Sequence, residues 1–524
     1  MEGQVAAGWA LLPDYLSQHV LLSAAALGLG VAISLPLAVL AARNATVRWP
    51  LLTFAGLVQT IPGLALLALF YPLLLALSAL TQEAFGFRLQ ALGFLPALLA
   101  LTLYAMLPIL RNGVAGLAGV DPAVREAADG VGMTPAQKLI KVEAPLAAPV
   151  VMAGVRTAAV WTIGAATLST PVGQTSLGNY IFSGLQTENW VFVLFGCAAA
   201  GGLALIADQL LGLIERGAAR RQAMPAIVGL ALLAFGVAAA GAAPLLRPTA
   251  PTYVVGAKNF SEQYILAELI SGRLAAAGAQ VGRRDGLGSA IAFRALEAGE
   301  IDVYVDYSGT LWTNVMGRKD TPPRAELMAE LTQWMAKEKG VVVLGSLGFE
   351  NAYALAMSRR QATALGVKSL DDLAAHAPRL TLGGDLEFLS RPEWALIEGA
   401  YGLRFGQERS FNPTFMYRAL SSREADVISA FSSDGRIAAQ DLVVLADPRG
   451  AAPSYDAVIL ISPKRAKDRR LIGALQPLVG RIPVERMREA NYAVDRDEGK
   501  VSPAEAADGL ARAVGLRPLQ AVSP

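Results

Sequence analysis

Residues able to make and break bonds are scarce in this chain. It has two histidines, His19 and His376, far apart in sequence, and one cysteine, Cys197, inside an apolar run. A Ser-His-Asp triad would have to recruit one of those two histidines. A histidine-rich metal site is excluded, no disulfide can form within the chain, and there is no CxxC motif. His376, in Ala-Ala-His-Ala-Pro beside a helix end, reads as a surface residue. No GxxxxGK[ST] occurs, so the chain holds no ATP through a P-loop of its own. Asp306, Glu387 and Asp434 could act as general acids or bases. Helix capping or the orienting of neighbouring groups accounts for them more simply, and Asp434-Gly435 does open a turn into a helix. No catalytic residue, metal or cofactor is therefore expected.

The elements that carry these residues fall into two classes. Of the 524 residues, 45 are basic and 43 acidic, which leaves no basic excess for nucleic acid. Residues 1–246 hold 21 charged side chains and residues 247–524 hold 67. Only the second density is that of an ordinary soluble domain. Six apolar stretches, 20–42, 49–82, 89–110, 144–187, 189–207 and 222–246, are each long enough to cross a hydrocarbon core about 30 Å thick. The stretch 49–82 exceeds one helix and has room for a re-entrant or interfacial piece. The first stretch follows no basic n-region and is too long for a cleavable signal. Basic residues gather after the first, third and fifth stretches: Arg43 and Arg48; Arg111, Arg125, Lys138 and Lys141; Arg216, Arg220 and Arg221. Cytoplasmic placement of those connections puts the N-terminus and residues 247–524 outside. Arg156 and Asp208 are charges within or at the edge of apolar segments, where they serve a function, snorkel from helix ends or face the bundle interior. Pro36, Pro62, Pro96, Pro108 and Pro171 interrupt the helices.

A charged island separates the third and fourth apolar stretches. Asp121-Pro122 starts a helix, Gly130 and Gly132 break it, and Thr134-Pro135 starts another. Within it, Glu126-Ala127-Ala128 is followed after three residues by Gly132 and after nine more by Val142-Glu143-Ala144-Pro145. This resembles the coupling loop of ABC-importer permeases, with Val142 for the usual Ile and Ala144 for Leu. The resemblance assigns Glu126, Ala127, Ala128, Gly132 and Pro145 to contact with a separate cytoplasmic ATP-binding subunit. Gln59 to Leu69 and Tyr104 to Asn112 resemble the permeases of the osmoprotectant branch, which takes up glycine betaine, choline and carnitine. The likeness covers about residues 15–215.

The second half alternates strands and helices, which argues α/β layers, and its length suits two lobes. Strands are expected at 253–256, 301–305, 341–344, 353–357, 380–382, 427–431, 442–445 and 457–461, with Ser261 capping a helix. The sixth apolar stretch reads as a tether, and Arg247 to Pro251 as a short stiff linker. The expected organisation is an all-α permease domain over 15–215, a tethering helix and linker over 216–251, and a two-lobed α/β domain over 252–524 with its second lobe at about 355–450. This half resembles the substrate-binding proteins of the same importers. Lys258 to Leu266, Gly286 to Ser289, Ala295 to Asp302, Asp306 to Thr310, Gly384 to Arg391 and Ser432 to Ile437 carry the likeness. One departure stands out: Asp306-Tyr307-Ser308-Gly309-Thr310 replaces the family's Glu-Tyr-Thr-Gly-Thr.

The resemblance implies a betaine ligand, whose quaternary ammonium donates no hydrogen bond and needs aromatic faces. Phe260, Tyr307, Tyr353, Phe388 and Phe431 are the candidate rings. Arg391 is the candidate for the carboxylate, with Asn259, Ser308, Thr310 and Ser432 as hydrogen-bonding groups. The expected protein is a multi-pass inner-membrane subunit, a homodimer served by two ATP-binding subunits, with its soluble half periplasmic. Ergothioneine is the alternative solute, towards which the Asp-Tyr-Ser-Gly-Thr turn leans. A ligand-gated channel or receptor is the alternative from another class, and the two-helix loop argues against it.

Overall fold

A computed structural model describes residues 2–86, 89–187, 189–242, 252–411, 413–451, 454–496 and 498–516. The chain divides into two compact units, one helical and one α/β. The linker Arg247 to Pro251 lies outside the described residues, as do residues 243–246 of the sixth apolar stretch.

The helical unit contains α1 (Glu2–Arg43), α2 (Ala45–Thr60), α3 (Gly63–Phe85), α4 (Phe94–Ala118), α5 (Pro122–Gly130), α6 (Pro135–Lys138), α7 (Ala144–Ala166), α8 (Gly178–Gln186), α9 (Trp190–Arg220) and α10 (Ala223–Ala242). Among the described residues, six spans are long and apolar enough to cross a membrane: Gly8–Arg43, Gly63–Phe85, Phe94–Ala118, Pro135–Val172, Trp190–Arg220 and Ala223–Ala242. The stretch 49–82 is two helices broken at Ile61-Pro62, because a proline forces its predecessor out of the helical region. Tyr104 of α4 secures the break: its hydroxyl donates to the Ile61 carbonyl, and Gln59 Nε2 donates to the Tyr104 carbonyl at 3.2 Å.

The stretch 144–187 also divides. After α7 the chain tightens into a 3₁₀ turn, Thr167–Val172, that contains Pro171 and ends at Gly173 with φ +78°. It then folds back so closely that a Cβ on Gly178 would lie 1.9 Å from the Thr167 carbonyl oxygen. Small residues likewise let α1, α4 and α7 touch: a Cβ on Gly113 would meet Ala38 at 2.7 Å, and one on Gly154 would meet Asn112 at 2.6 Å.

The fifth stretch was expected to end at 207, yet α9 continues through Asp208 and Glu215 to Arg220. Arg156 of α7 makes this possible. Its Nε and Nη2 donate to Asp208 at 2.9 and 2.8 Å, and its Nη1 donates to Glu215 at 2.6 Å. The three charges satisfy one another between helices, as intramembrane charges must.

The α/β unit has two five-stranded sheets. The first orders β2 (Val281–Leu287), β1 (Tyr253–Lys258), β3 (Val303–Tyr307), β10 (Asp456–Ile461) and β4 (Val342–Glu350). The second orders β7 (Gln407–Ser410), β6 (Thr381–Gly384), β8 (Val427–Phe431), β5 (Tyr353–Ser358) and β9 (Leu442–Val444). The chain crosses from the first lobe to the second through Asn351-Ala352 and returns between β9 and β10. The core of each lobe is made of apolar strand residues such as Val255, Val303, Val305 and Ile459 in one and Ala356, Ile428 and Ala430 in the other, all buried. Strands β2 and β7 were not expected. Both are edge strands, and their sequences, VGRRDGL and QERS, carry the charges that keep an edge solvated.

Candidate functional site

Between the lobes, the loops that follow β1 and β8 converge, and a partly open cavity of about 50 Å³ lies among them. That volume admits a few waters.

Helix α11 (Ser261–Ala276) begins directly after β1. Ser261 was expected as its cap but occupies the first helical position, with Phe260 at the cap. The Ser261 hydroxyl donates instead to Asp495 Oδ1 at 2.5 Å. The next residue, Glu262, is almost fully buried and is the hub of the cleft. Its Oε1 accepts from the Tyr307 hydroxyl at 2.6 Å and from Asn351 Nδ2 at 3.0 Å. Its Oε2 accepts from the Ser433 hydroxyl at 2.6 Å and from Asn491 Nδ2 at 2.8 Å. These partners come from the first lobe, the crossover, the second lobe and the helix Val484–Asp495. Burial raises the Glu262 pKa above the ordinary carboxylate range, opposed in part by the four donors. Burial next to that carboxylate lifts the Tyr307 hydroxyl well above its ordinary value.

The five candidate rings form one connected path. Phe260 stacks near Tyr307 (centroids 6.2 Å apart) and lies parallel to Phe431 (6.1 Å). Tyr353 approaches Phe431 at 4.9 Å and Phe388 at 5.3 Å. Phe260 and Phe431 are half-buried and line the cavity, whereas Phe388 is fully buried behind Tyr353. Phe388 is therefore a support for the path and not a face open to solute.

The polar candidates divide. Arg391 is buried, lies 5.2 Å over the Tyr353 ring, and donates from Nη1 to Thr310 Oγ1 at 3.3 Å and to Glu393 Oε1 at 3.2 Å. Glu393 is itself buried and accepts from the Tyr455 hydroxyl at 2.5 Å and the Thr313 hydroxyl at 3.0 Å. Arg391 is thus no surface ion pair, and a solute carboxylate would have to share it with Glu393. Ser308 and Ser432 spend their hydroxyls on the backbone. Ser308 donates to the Ser454 carbonyl and accepts from the Asp456 N–H; Ser432 accepts from the Ala352 N–H and donates to the Glu350 carbonyl. Both staple the crossings between lobes. Asn259 is exposed and does not line the cavity.

The carboxylates considered as acids or bases are also placed. Asp306 is buried against Lys258, whose Nζ donates to it at 2.5 Å, and it also accepts from the Tyr304 hydroxyl at 2.5 Å. Asp434 accepts from the Arg436 N–H at 2.8 Å and from its guanidinium. The Glu387 side chain lies outside the described residues. Sequence reasoning missed Glu262, Asn351, Asn491 and Asp495. An acidic residue in a first helical turn reads as a partner of the helix dipole, and nothing local marks it as buried.

In the helical unit the loop is built as its spacing suggests. Asp121 Oδ1 accepts from the Ala123 N–H with Pro122 at the first position of α5. Gly132 turns the chain at φ +79°, and Thr134 and Gln137 form a capping box around Pro135. Glu126 and Ala127 are exposed, Ala128 is buried, and Pro145 lies in the first turn of α7. Lys138 closes the loop on Asp129 at 2.6 Å.

A bundle of membrane-length helices with a two-helix loop, joined in one chain to a two-lobed α/β binding unit, defines a permease fused to its solute receptor. Residues 34–220 match the family of binding-protein-dependent transport system inner membrane components, and residues 251–511 match the substrate binding domain of ABC-type glycine betaine transport systems. An ergothioneine transport permease/ergothioneine binding protein from Helicobacter pylori is 29% identical over 86% of this chain and 81% of its own length. A choline transport system permease protein from Bacillus subtilis is 38% identical over 38% of this chain and 84% of its own length. A solved glycine betaine/carnitine/choline ABC transporter structure is 26% identical, covering 50% of this chain and 98% of its own, with a TM-score of 0.44. The chain belongs to the binding-protein-dependent permeases of ABC importers, in the osmoprotectant branch, and carries its substrate-binding domain fused to the permease. As such it is a multi-pass inner-membrane protein that works with an ATP-binding partner.

Proposed function

We propose that this protein captures and imports a betaine-type solute of the glycine betaine, choline or carnitine class. The observation that carries the reading is the ring path Tyr307–Phe260–Phe431–Tyr353 ending at Arg391. Rings hold a quaternary ammonium through cation–π attraction, and a guanidinium holds a carboxylate. The residues proposed to touch solute are Phe260, Tyr307, Tyr353, Phe431, Arg391 and Thr310, with Phe388 behind them. Residues 15–215 form the permease, 216–251 the tether and 252–524 the periplasmic receptor. Two copies of the chain assemble with two ATP-binding subunits, which meet Glu126, Ala127, Ala128, Gly132 and Pro145 and hydrolyse ATP.

A second solute, ergothioneine, is favoured by a specific feature. Beside the rings lie two buried amide oxygens, Asn351 Oδ1 and Asn491 Oδ1, without a hydrogen-bond partner among the described residues. A plain betaine offers them nothing, whereas a thioimidazole ring brings N–H donors. A relative that matches both halves of the chain is named for that solute. Titration calorimetry of the full chain with glycine betaine, choline, carnitine and ergothioneine tests both readings. Binding of one of the first three at least tenfold tighter than ergothioneine supports the first reading, and the reverse order the second. Heat from none of the four would sink both.

A further inference from the structure

We infer that Glu143 is the positioning residue that ties the coupling loop to helix α1, so that motion of the loop is delivered to α1 as well as to α7. Glu143 ends a single π-turn, Leu139–Glu143, between α6 and α7. Such turns displace a side chain from the regular helical track and recur at functional positions. Here the displaced carboxylate is buried where two helices meet the loop. Its Oε2 accepts from Arg43 Nη2 at 3.3 Å, and its Oε1 pairs with Arg125 Nε at 3.3 Å. Arg43 is the last residue of α1, and Arg125 lies in α5, one residue before Glu126. One carboxylate therefore bridges the end of a membrane-length helix and the helix that receives the ATP-binding subunit.

The neighbouring groups stiffen both sides of this bridge. Arg125 also donates to the Leu117 carbonyl at the end of α4. Arg48 donates to the Ala41 and Ala42 carbonyls at 2.9 Å each, closing the end of α1 next to Arg43. Within the loop, Lys138 of α6 pairs with Asp129 of α5. Far along α1, His19 is fully buried. Its Nε2–H donates to the Ile163 carbonyl at 3.0 Å, and its Nδ1 accepts from the Leu177 N–H at 3.3 Å. About 24 helical residues at 1.5 Å each separate the two anchors, so α1 spans roughly 36 Å between them. A displacement applied at Arg43 then reaches the segment around Leu177, beyond the 3₁₀ turn. The carboxylate is buried while both guanidinium groups are partly solvated, so removing it breaks both pairs and leaves no cation stranded in the interior.

The test uses the full importer, the chain with its ATP-binding subunit in nanodiscs, and needs no solute. Hydrogen exchange is followed with and without ATP and vanadate. In the wild type, the nucleotide is expected to change protection both in the loop (121–143) and at the end of α1 (36–43). In Glu143→Gln the loop should still respond, while the response of α1 falls at least fivefold; Glu143→Asp should restore at least half of it. If Glu143→Gln prevents assembly, Arg43→Gln decides, because that side chain is largely solvated and its loss should leave the fold intact while cutting the α1 response in the same way. An α1 response that survives both substitutions overturns the inference. So does a wild type whose loop responds while α1 does not.

Discussion

Two buried glutamates, one in each unit, are satisfied in opposite ways. Glu143 of the permease lies between two guanidinium groups. Glu262 of the receptor pairs with no cation among the described residues and is held by two hydroxyls and two amides. The charge-paired carboxylate joins the end of α1 to α5. A carboxylate held only by neutral donors pays its full desolvation, and its pKa rises. The permease carboxylate is thus held by charge, and the receptor carboxylate by neutral donors.

The largest effect should come from deleting the receptor's hub. Glu262→Ala leaves four buried donors facing a void, at a cost on the order of 3 kcal/mol or more. Thermal unfolding of the full chain in detergent should show the receptor transition falling by roughly 6–12 °C. Glu262→Gln keeps the shape and some of the bonds, so it should lose less than half as much. Equal losses would mean that packing, not the donor set, makes Glu262 important.

Next in size is the cationic end of the ring path. Arg391→Ala should weaken glycine betaine roughly 10- to 100-fold, the value of a hydrogen-bonded ion pair. It should leave choline, which lacks a carboxylate, within about threefold. Calorimetry with both solutes separates this from general damage, because leaving Glu393 without its guanidinium would weaken both alike. Parallel losses would remove Arg391 from the solute's carboxylate site.

A smaller energy is at stake in the loop. Gly132 has φ +79°, and a Cβ there would meet nothing within 4 Å. Gly132→Val therefore tests conformation alone, at about 1–2 kcal/mol for a left-handed non-glycine residue. Uptake by reconstituted vesicles should fall at least tenfold while solute binding by the chain is unchanged. Uptake that persists would detach this turn from coupling.

These contrasts also explain what could be read in advance. The loop is contiguous: Asp121, Pro122, Gly132, Thr134 and Pro135 act on their own neighbours, so spacing alone predicts the turn. The rings of the receptor sat in recognisable segments, and the structure joins them into one path. The polar groups were less legible, because their roles depend on distant partners. Ser261 resembled a cap until Asp495 claimed its hydroxyl, and Ser308 and Ser432 resembled ligand groups until backbone atoms claimed theirs. Edge strands β2 and β7 escaped notice because solvation erases the apolar signal on which strand reading depends. The length of α9 escaped notice because Arg156, on another helix, neutralises the charges that seemed to end it.

The smallest effect sharpens the comparison most finely, since it concerns a carboxylate of mixed character. Asp495 is buried, accepts from Ser261, and lies in the field of the Arg436 guanidinium, which is itself paired with Asp434. Burial outweighs that partial cation and raises its pKa to about 6. The folded state therefore holds a proton that the unfolded chain gives up near pH 4. Stability from this group is complete below that value and is lost as the pH rises through about 6. Asp495→Asn mimics the protonated form, so its melting temperature relative to wild type should rise by a few degrees between pH 5 and pH 7.5. A difference that is flat across that range would mean that Arg436 fully compensates the charge. Asp495 would then belong with Glu143 and not with Glu262.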